Sequence, residues 1–423
     1  MVNKILQIFK VKELRGKIFY IFGILVIFRL AANVPIPGVD VSQLKDFFEG
    51  NQLFGFLDLF SGGGLRNISI VMLGVGPYIT ASIVMQLLTM IFPKLEQLYK
   101  EEGEAGRQKF NMWTRFITVP FAMLQTFAMV SLFKSQGILT DLSVFNYVTI
   151  VVTATAGTIF LMWLGELITE KGIGNGVSML IFAGIVSALP DTIKQLVVTW
   201  NPTQALTYLG FGVMVVVSIA GIVIVNEGQR NIPISFARRI RGGKTSGGSK
   251  THLPLRVNQA GVIPIIFAMS IMLFPGIIAN FLAGVENSTL AGIGSTVADL
   301  FADQTFYGGV YFALVVLFTY FYTAVTFDPK NVAESLQRQG GFISGIRPGT
   351  PTMEYLNRIV NRITLTGAIF LGLVAVLPFI VQAITGIQAL TIGGTGILIV
   401  VSVVIETMKQ IEAQLVMRDY DGF

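Results

Sequence analysis

The feature that most constrains this chain is a series of long, almost uninterrupted apolar segments. Each is close to the roughly 20 residues that an α-helix needs to cross the hydrocarbon core of a bilayer. Ten such segments are predicted, at 18–34, 68–92, 113–133, 147–168, 177–198, 206–226, 257–283, 307–327, 363–385 and 391–408. Strands of a membrane barrel would alternate apolar and polar residues, and these segments do not. The sequence therefore predicts an all-α polytopic membrane protein.

The composition agrees with this class and excludes several kinds of chemistry. Of the 423 residues, 53% are hydrophobic and 13% are charged, against about 25% charged in an ordinary soluble domain. The chain has no cysteine, which excludes disulfides, thiolate nucleophiles and cysteine-based metal sites. Its one histidine, His252, lies in a basic loop, where we expect a solvated side chain rather than a catalytic base. The sequence predicts no enzyme activity, no cofactor and no metal site.

The distribution of lysine and arginine predicts the orientation. If the N-terminus is cytoplasmic, the inner segments hold 25 of the 30 basic residues. Loops on the cytoplasmic side of membrane proteins carry such an excess of positive charge, so both termini are expected inside. The first apolar segment resembles a signal peptide, but Arg29 interrupts its end and we expect it to remain as a span.

Two of the inner loops are too large to be simple connectors. Residues 227–256 and 328–362 together carry twelve of the basic residues, and each loop has about thirty residues. Anchoring the topology needs only a few charges near helix ends. The loops therefore also suggest a surface for a partner, which could be an anionic headgroup layer, RNA or an acidic protein.

Ionisable side chains are missing from the middle of the predicted spans. Arg29, Glu166 and Glu406 lie near span ends, where long side chains can reach the interface. This argues against a proton-coupled transporter and against an intramembrane aspartyl protease. A secondary transporter of a small solute remains the alternative, although it should place polar ligands at the midplane. Glycine and proline within the spans, such as Pro264, indicate either cavity lining or ordinary helix packing.

Several long strings resemble one family of membrane channels. They occur in matching order from the N-terminal basic stretch to the tenth segment, so the likeness covers essentially the whole chain. The strings are Phe60–Gly64 (FSGGG), Gly74–Ile83 (GVGPYITASI), Met162–Glu166 with Ile173–Gly176, Thr251–Leu255 with Ala260–Pro264, and Gly345–Gly349 (GIRPG). In these strings the chain resembles the SecY family, the channel subunits of the bacterial Sec protein translocon.

The resemblance implies an architecture and a pore. Ten helices would form two pseudo-symmetric five-helix halves, 1–200 and 201–423, around a central pore. By motif position the narrow ring of the pore would consist of Val75, Ile79, Val177, Ile181, Ile266 and Ile399. An outer plug would lie at about 57–67 and include Phe60, Ser61, Gly62, Gly63, Gly64 and Leu65. Thr80 and Phe274 match positions of a lateral gate between spans two and three on one side and seven and eight on the other.

The resemblance also implies a function and partners. The chain would conduct unfolded secretory polypeptides across the plasma membrane and release apolar segments sideways into lipid. Its implied partners are the membrane subunits SecE and SecG, the motor ATPase SecA, the translating ribosome, preproteins with signal sequences, and membrane lipid. Arg238, Arg239 and Arg347 in the two basic loops are the expected docking residues, although each could serve topology alone.

Overall fold

A computed structural model describes residues 11–36, 58, 61–135, 137, 139, 143–198, 202, 205–236, 239–241, 244–246, 250–283, 288–385 and 389–421. Helices dominate this part of the chain. They are α1 (Lys12–Ala32), α2 (Gly76–Ile91), α3 (Pro93–Lys100), α4 (Gly103–Ser135), α5 (Val144–Lys171), α6 (Gly176–Val198), α7 (Ala205–Glu227), α8 (Ile263–Ala283), α9 (Ser288–Ala302), α10 (Gln304–Thr326), α11 (Pro329–Arg338), α12 (Thr350–Thr385) and α13 (Ala389–Asp421). The strands are β1 (Gln229–Phe236), β2 (Arg239–Arg241), β3 (Lys244–Ser246), β4 (Lys250–Arg256) and β5 (Gly341–Ile343).

Each of the ten predicted apolar segments contains a helix. These helices are α1, α2, α4, α5, α6, α7, α8, α10, α12 and α13. Within the described residues, five continuous helical segments are long and apolar enough to cross a membrane by themselves, namely those that contain α4, α5, α7, α10 and α12. A sixth arises if α2 and α3 are taken together across their 111° bend. The prediction of a helical polytopic membrane protein is confirmed.

The second predicted span is shorter than the sequence suggested. Residues 68–75 form turns, and the helix begins only at Gly76, with Pro77 in its first turn. Proline is favoured there because its missing N–H has no intrahelical partner in that turn. The turns are held to the end of the first span, since the Ile36 N–H donates to the Ile68 carbonyl at 2.9 Å.

The two large inner loops are folded, and they fold together. In the first loop β1 pairs antiparallel with β4, and in the second β5 pairs with the other edge of β1. The second loop also contains α11 and the start of α12. A small apolar cluster lies beneath the sheet and consists of Ile232, Leu255, Ile343, Leu356, Ile359 and Val360. One sheet therefore joins the two loops.

A further difference from the prediction lies between α8 and α10. Helix α9 was not predicted, because its 15 residues are too few to span and are rich in serine, threonine and glycine. The predicted fifth span, 177–198, agrees with α6 (Gly176–Val198), which continues through Pro190.

Two seams join the part of the chain before residue 200 to the part after it. At one seam α8 packs against α2 and α4, and at the other α6 packs against α13. A single large apolar cluster extends across both parts. The candidate pore residues lie within this cluster.

Candidate functional site

The six predicted ring residues come from separate parts of the chain and share one apolar cluster. Val75 precedes α2 and Ile79 lies on it; Val177 and Ile181 begin α6; Ile266 lies on α8 and Ile399 on α13. Five of the six are buried, with exposed fractions of 7% or less, and Val177 is half-buried. Apolar side chains associated with four helices, α2, α6, α8 and α13, therefore share one cluster, and none of the six positions is polar.

A cavity of about 760 Å³ adjoins the ring on the side that the sequence predicts to be cytoplasmic. Four ring residues line it, namely Ile79, Val177, Ile181 and Ile266. The rest of its wall is largely polar and comes mostly from α2, α4, α5 and α6, with Ile263 and Phe267 of α8 and Tyr322 of α10. The charged residues Arg115 and Glu166 in this wall form an ion pair with an Nε–Oε1 distance of 2.6 Å. The cavity therefore has a largely polar wall that is apolar where the ring residues line it.

The glycine-rich segment after the first span is packed into the protein. Ser61 to Leu65 are buried, whereas Phe60 lies outside the described residues. The Ser61 hydroxyl donates to the Asp58 carbonyl at 3.0 Å and accepts from the Leu65 N–H at 2.9 Å. Gly62 lets the segment approach α1 closely, because a Cβ at this position would lie 2.8 Å from Cζ of Phe28.

Asp58 is the titratable group of this segment. Burial raises the pKa of its carboxyl, and the backbone N–H and guanidinium of Arg66 oppose that change. The Arg66 N–H donates to Asp58 Oδ1 at 2.8 Å.

The two predicted gate residues lie on adjacent helices. Thr80, on α2, is buried, donates to the Gly76 carbonyl and accepts from Nε2 of Gln125 on α4 at 3.3 Å. Phe274 is half-buried on α8. The described hydrogen bonds of Thr80 are thus made within α2 and with α4. Helix α8 packs against both of these helices.

The three predicted docking arginines differ in how far the structure describes them. Arg347 is exposed in a turn, and its carbonyl accepts from the Thr352 hydroxyl at 2.8 Å. Its side chain forms no hydrogen bond or ion pair with any described residue. Arg239 pairs with Ser246 across the β2–β3 ladder, and nothing is described of its side chain. Arg238 lies outside the described residues.

One polar cluster was missed by sequence reasoning. Nδ2 of Asn258, just before α8, donates to Oδ1 of Asn226 on α7 at 2.7 Å. Asn226 in turn donates to the Ser402 hydroxyl on α13 at 2.8 Å. The cluster ties three helices together near their inner ends. Isolated asparagines near helix ends give no pattern from which this could have been predicted. Within the described residues, no group of three or more His, Asp or Glu side chains could hold a metal ion.

Comparison with known proteins identifies the family. The SecY family model matches residues 69–408. Curated relatives named protein translocase subunit SecY cover the whole of this chain and are covered completely by it. They include those of Streptomyces scabiei, 42% identical over 441 residues, Streptomyces coelicolor, 43% identical over 441 residues, and Mycobacterium tuberculosis, 39% identical over 445 residues.

Solved structures share the fold. A structure described as a protein conducting channel superposes with a TM-score of 0.61 at 18% identity, covering 94% of this chain and 91% of that one. Sec61 in a canine ribosome–channel complex gives a TM-score of 0.59 at 17% identity, with the same coverage. The predicted resemblance is confirmed: with a family model that matches most of its length and relatives about 40% identical from end to end, this chain belongs to the SecY family.

Proposed function

We propose that this chain is the protein-conducting channel of a translocase, passing unfolded secretory polypeptides across the membrane and releasing apolar segments into it. The observation that carries the proposal is a group of six apolar residues from distant parts of the chain, five of them buried, beside a cavity of about 760 Å³ with a largely polar wall. Relatives over the full length are named translocase subunits, and structural neighbours are described as protein-conducting channels.

An apolar ring suits cargo of any sequence. A channel for unfolded polypeptide must pass every side chain, so it cannot offer specific ligands. A narrow apolar constriction loses its water when empty, which blocks ions, and it can close around a chain when occupied. A transporter of a small solute would need polar ligands at this point, and Val75, Ile181 and Ile399 provide none.

The remaining assignments follow the same scheme. Residues 57–67 act as the plug that covers the ring from outside, and the halves 1–200 and 201–423 separate during opening. The seam of α2 and α4 with α8 is the lateral gate, at which Thr80 and Phe274 contribute. A signal sequence leaves through this seam because transfer of apolar surface from water contributes roughly 25 cal/mol per Å².

The inner sheet and the turn around Arg347 form the docking surface. An exposed guanidinium without an intramolecular partner among the described residues is available to carboxylates of a motor or phosphates of ribosomal RNA. We propose SecA and the translating ribosome as partners here, with Arg238 and Arg239 contributing. SecE and SecG are the proposed membrane partners. The channel itself carries out no catalysis.

The proposed location is the bacterial plasma membrane, with both termini in the cytoplasm. The support is the concentration of lysine and arginine in the segments predicted to be inside.

Reconstituted transport tests the proposal. The protein is placed in liposomes with SecE and SecG, and SecA, ATP and a signal-bearing preprotein are added. Protease protection of the preprotein is then measured for the native protein and for Arg347→Glu. We expect protection with the native protein and at least a tenfold loss with Arg347→Glu, because the reversed charge repels an acidic partner.

A second charge reversal controls for general electrostatics. Arg338→Glu lies in the same loop, and Arg338 already forms an i,i+4 pair with Glu334 at 3.3 Å. We expect this variant to retain most of the transport. Equal losses in the two variants would overturn the docking role of Arg347, and no protection by the native protein with active partners would overturn the channel.

A further inference from the structure

The glycine-rich outer segment is connected to α6 by one arginine. The Arg66 guanidinium lies between two carboxylates: Nε is 3.4 Å from Asp58 Oδ2, and Nη2 is 3.5 Å from Asp191 Oδ2. Asp58 begins the segment, whereas Asp191 lies in α6, more than 120 residues further along the chain. A single side chain thus links the segment to another helix.

A second arginine holds the same segment from α1. Nη1 of Arg29, in the last turn of α1, donates to the carbonyl oxygen of Gly62. A Cβ on Gly63 would lie 3.6 Å from Nη1 of Arg29 and 3.5 Å from Nη2 of Arg66. The two guanidinium groups therefore both lie beside the glycines, and Asp58 and Asp191 are the counter-charges of Arg66.

The segment is anchored differently at its two ends. Leu65, Ile68 and Met72 are buried in an apolar cluster with side chains of α4 and α5. By contrast, Ser61 to Gly64 carry almost no apolar side chain that could hold them in place. Apolar burial fixes the C-terminal part, whereas hydrogen bonds and charges hold the glycines.

We propose that Asp58, Arg66, Asp191 and Arg29 form an outer clasp, a set of positioning residues that keeps Ser61–Gly64 in place in the closed channel. The inference rests on the proposed channel function and adds the residues that set the closed state. Opening requires the Arg66–Asp191 and Arg29–Gly62 contacts to break while the buried residues from Leu65 onward stay packed. The clasp differs from an apolar plug contact because it depends on charge.

The expected effects are modest but measurable. The Asp191 side chain is 64% exposed and that of Arg66 36% exposed, and such pairs contribute little to stability. Because leak is proportional to the small population of open channels, even a weak bias toward opening is detectable. We expect Asp191→Asn to raise the resting ion leak about twofold to fivefold, and Asp191→Arg, which places a like charge beside Arg66, about tenfold or more.

The measurement is ion efflux from liposomes that contain the channel without motor, ribosome or preprotein. Asp299→Asn is the matched control, since Asp299 is also exposed on the outer side, on α9, and makes no ion pair with a described residue. We expect this control to leak like the native protein. Leak from Asp191→Arg equal to that of the control would overturn the clasp.

Charge reversal separates pairing from disturbed folding. In an Asp58→Asn background, Arg66→Glu combined with Asp191→Arg restores an opposite-charge pair between the segment and α6. We expect this pair to leak several-fold less than Asp191→Arg in the same background, and equal leak would contradict pairing as the cause.

A thiol readout reports the position of the segment directly. The native chain has no cysteine, so Ser61→Cys provides a single label at a site that is 1% exposed. We expect an impermeant maleimide to react faster with it when Asp191→Arg is added, and an unchanged rate would count against the clasp.

Transport of a preprotein by the same liposomes keeps the two proposals apart. If the native protein transports the preprotein but the Asp191 variants leak no more than the native protein, the clasp alone is overturned. If the Asp191 variants leak more but the native protein transports no preprotein, the channel function is overturned and the clasp stands.

Discussion

Gly157 marks the closest approach between α5 and the turns that precede α2. A methyl group at this position would lie 1.7 Å from the carbonyl oxygen of Ile70, so the two elements could not keep their separation. We expect Gly157→Ala to lower the free energy of unfolding by roughly 1–3 kcal/mol, as overpacking of a filled interior does. The measurement is the apparent melting temperature of the purified protein in detergent.

Gly212 offers the matched substitution on a helix with free space. A methyl group there meets nothing within 4 Å, since this face of α7 is exposed, and alanine is the better helix former. We expect Gly212→Ala to keep or slightly raise the melting temperature. Equal losses in both variants would show that close packing at Gly157 is not the cause.

The inner sheet joins the two large loops into one structural unit. On β5, Ile343 is buried beneath the sheet, while its neighbour Phe342 points outward with 37% exposure. We expect Ile343→Ala to destabilise this unit by roughly 2–5 kcal/mol, because it removes a buried side chain and leaves a cavity. Hydrogen exchange of β1 amides, at Ile234 to Phe236, measures the loss.

Phe342→Ala is the control on the same strand. It removes a larger side chain that is not buried, so β1 exchange should stay near that of the native protein. If both variants exchanged equally fast, the small apolar cluster under the sheet would not be what joins the loops.

Elements differed in how well the sequence predicted them. Long apolar runs identified ten spans, because membrane helices must satisfy their backbone internally over a fixed thickness. The strands of 229–256 were missed because most residues around Ile232 and Ile234 are polar or basic, which is also typical of loops. Helix α9 was missed because a short helix rich in serine and glycine has the composition of a connection.

At the candidate site, the sequence predicted which residues share a cluster but not which charged residues pair. The positions of Val75, Ile79 and Ile399 in the motifs predicted that they lie together, and in the structure they share one apolar cluster. The contacts of Arg66 with Asp191 could not be foreseen, since residues more than 120 positions apart are joined only by the packing of the segment against α6. Charge pairs of this sort leave no periodicity in a single sequence.

At the scale of the whole molecule, charge and apolar surface predict the orientation in the membrane. Most lysines and arginines fall in segments that ten spans place on one side, and a reversed protein would have to move them across the bilayer. Helix α7 shows the apolar surface most clearly, because only 6% of its most apolar stretch is buried within the protein. The ten-span arrangement thus predicts that the inner sheet and α9 lie on opposite sides of the membrane.

Single cysteines test this orientation directly, since the native chain contains none. His252→Cys and Gln339→Cys place a thiol in each large loop, and Asp299→Cys places one on α9; all three positions are exposed. In inverted membrane vesicles, we expect an impermeant maleimide to label His252→Cys and Gln339→Cys directly and Asp299→Cys only after lysis. In intact cells, we expect it to label Asp299→Cys directly and the other two only after lysis. Only α8 separates position 252 from 299 among the predicted spans, and α10 separates 299 from 339. Labelling of positions 252 and 299 from the same side would therefore mean that α8 does not cross the membrane, which would contradict the ten-span topology and with it a gate formed by α2, α4 and α8.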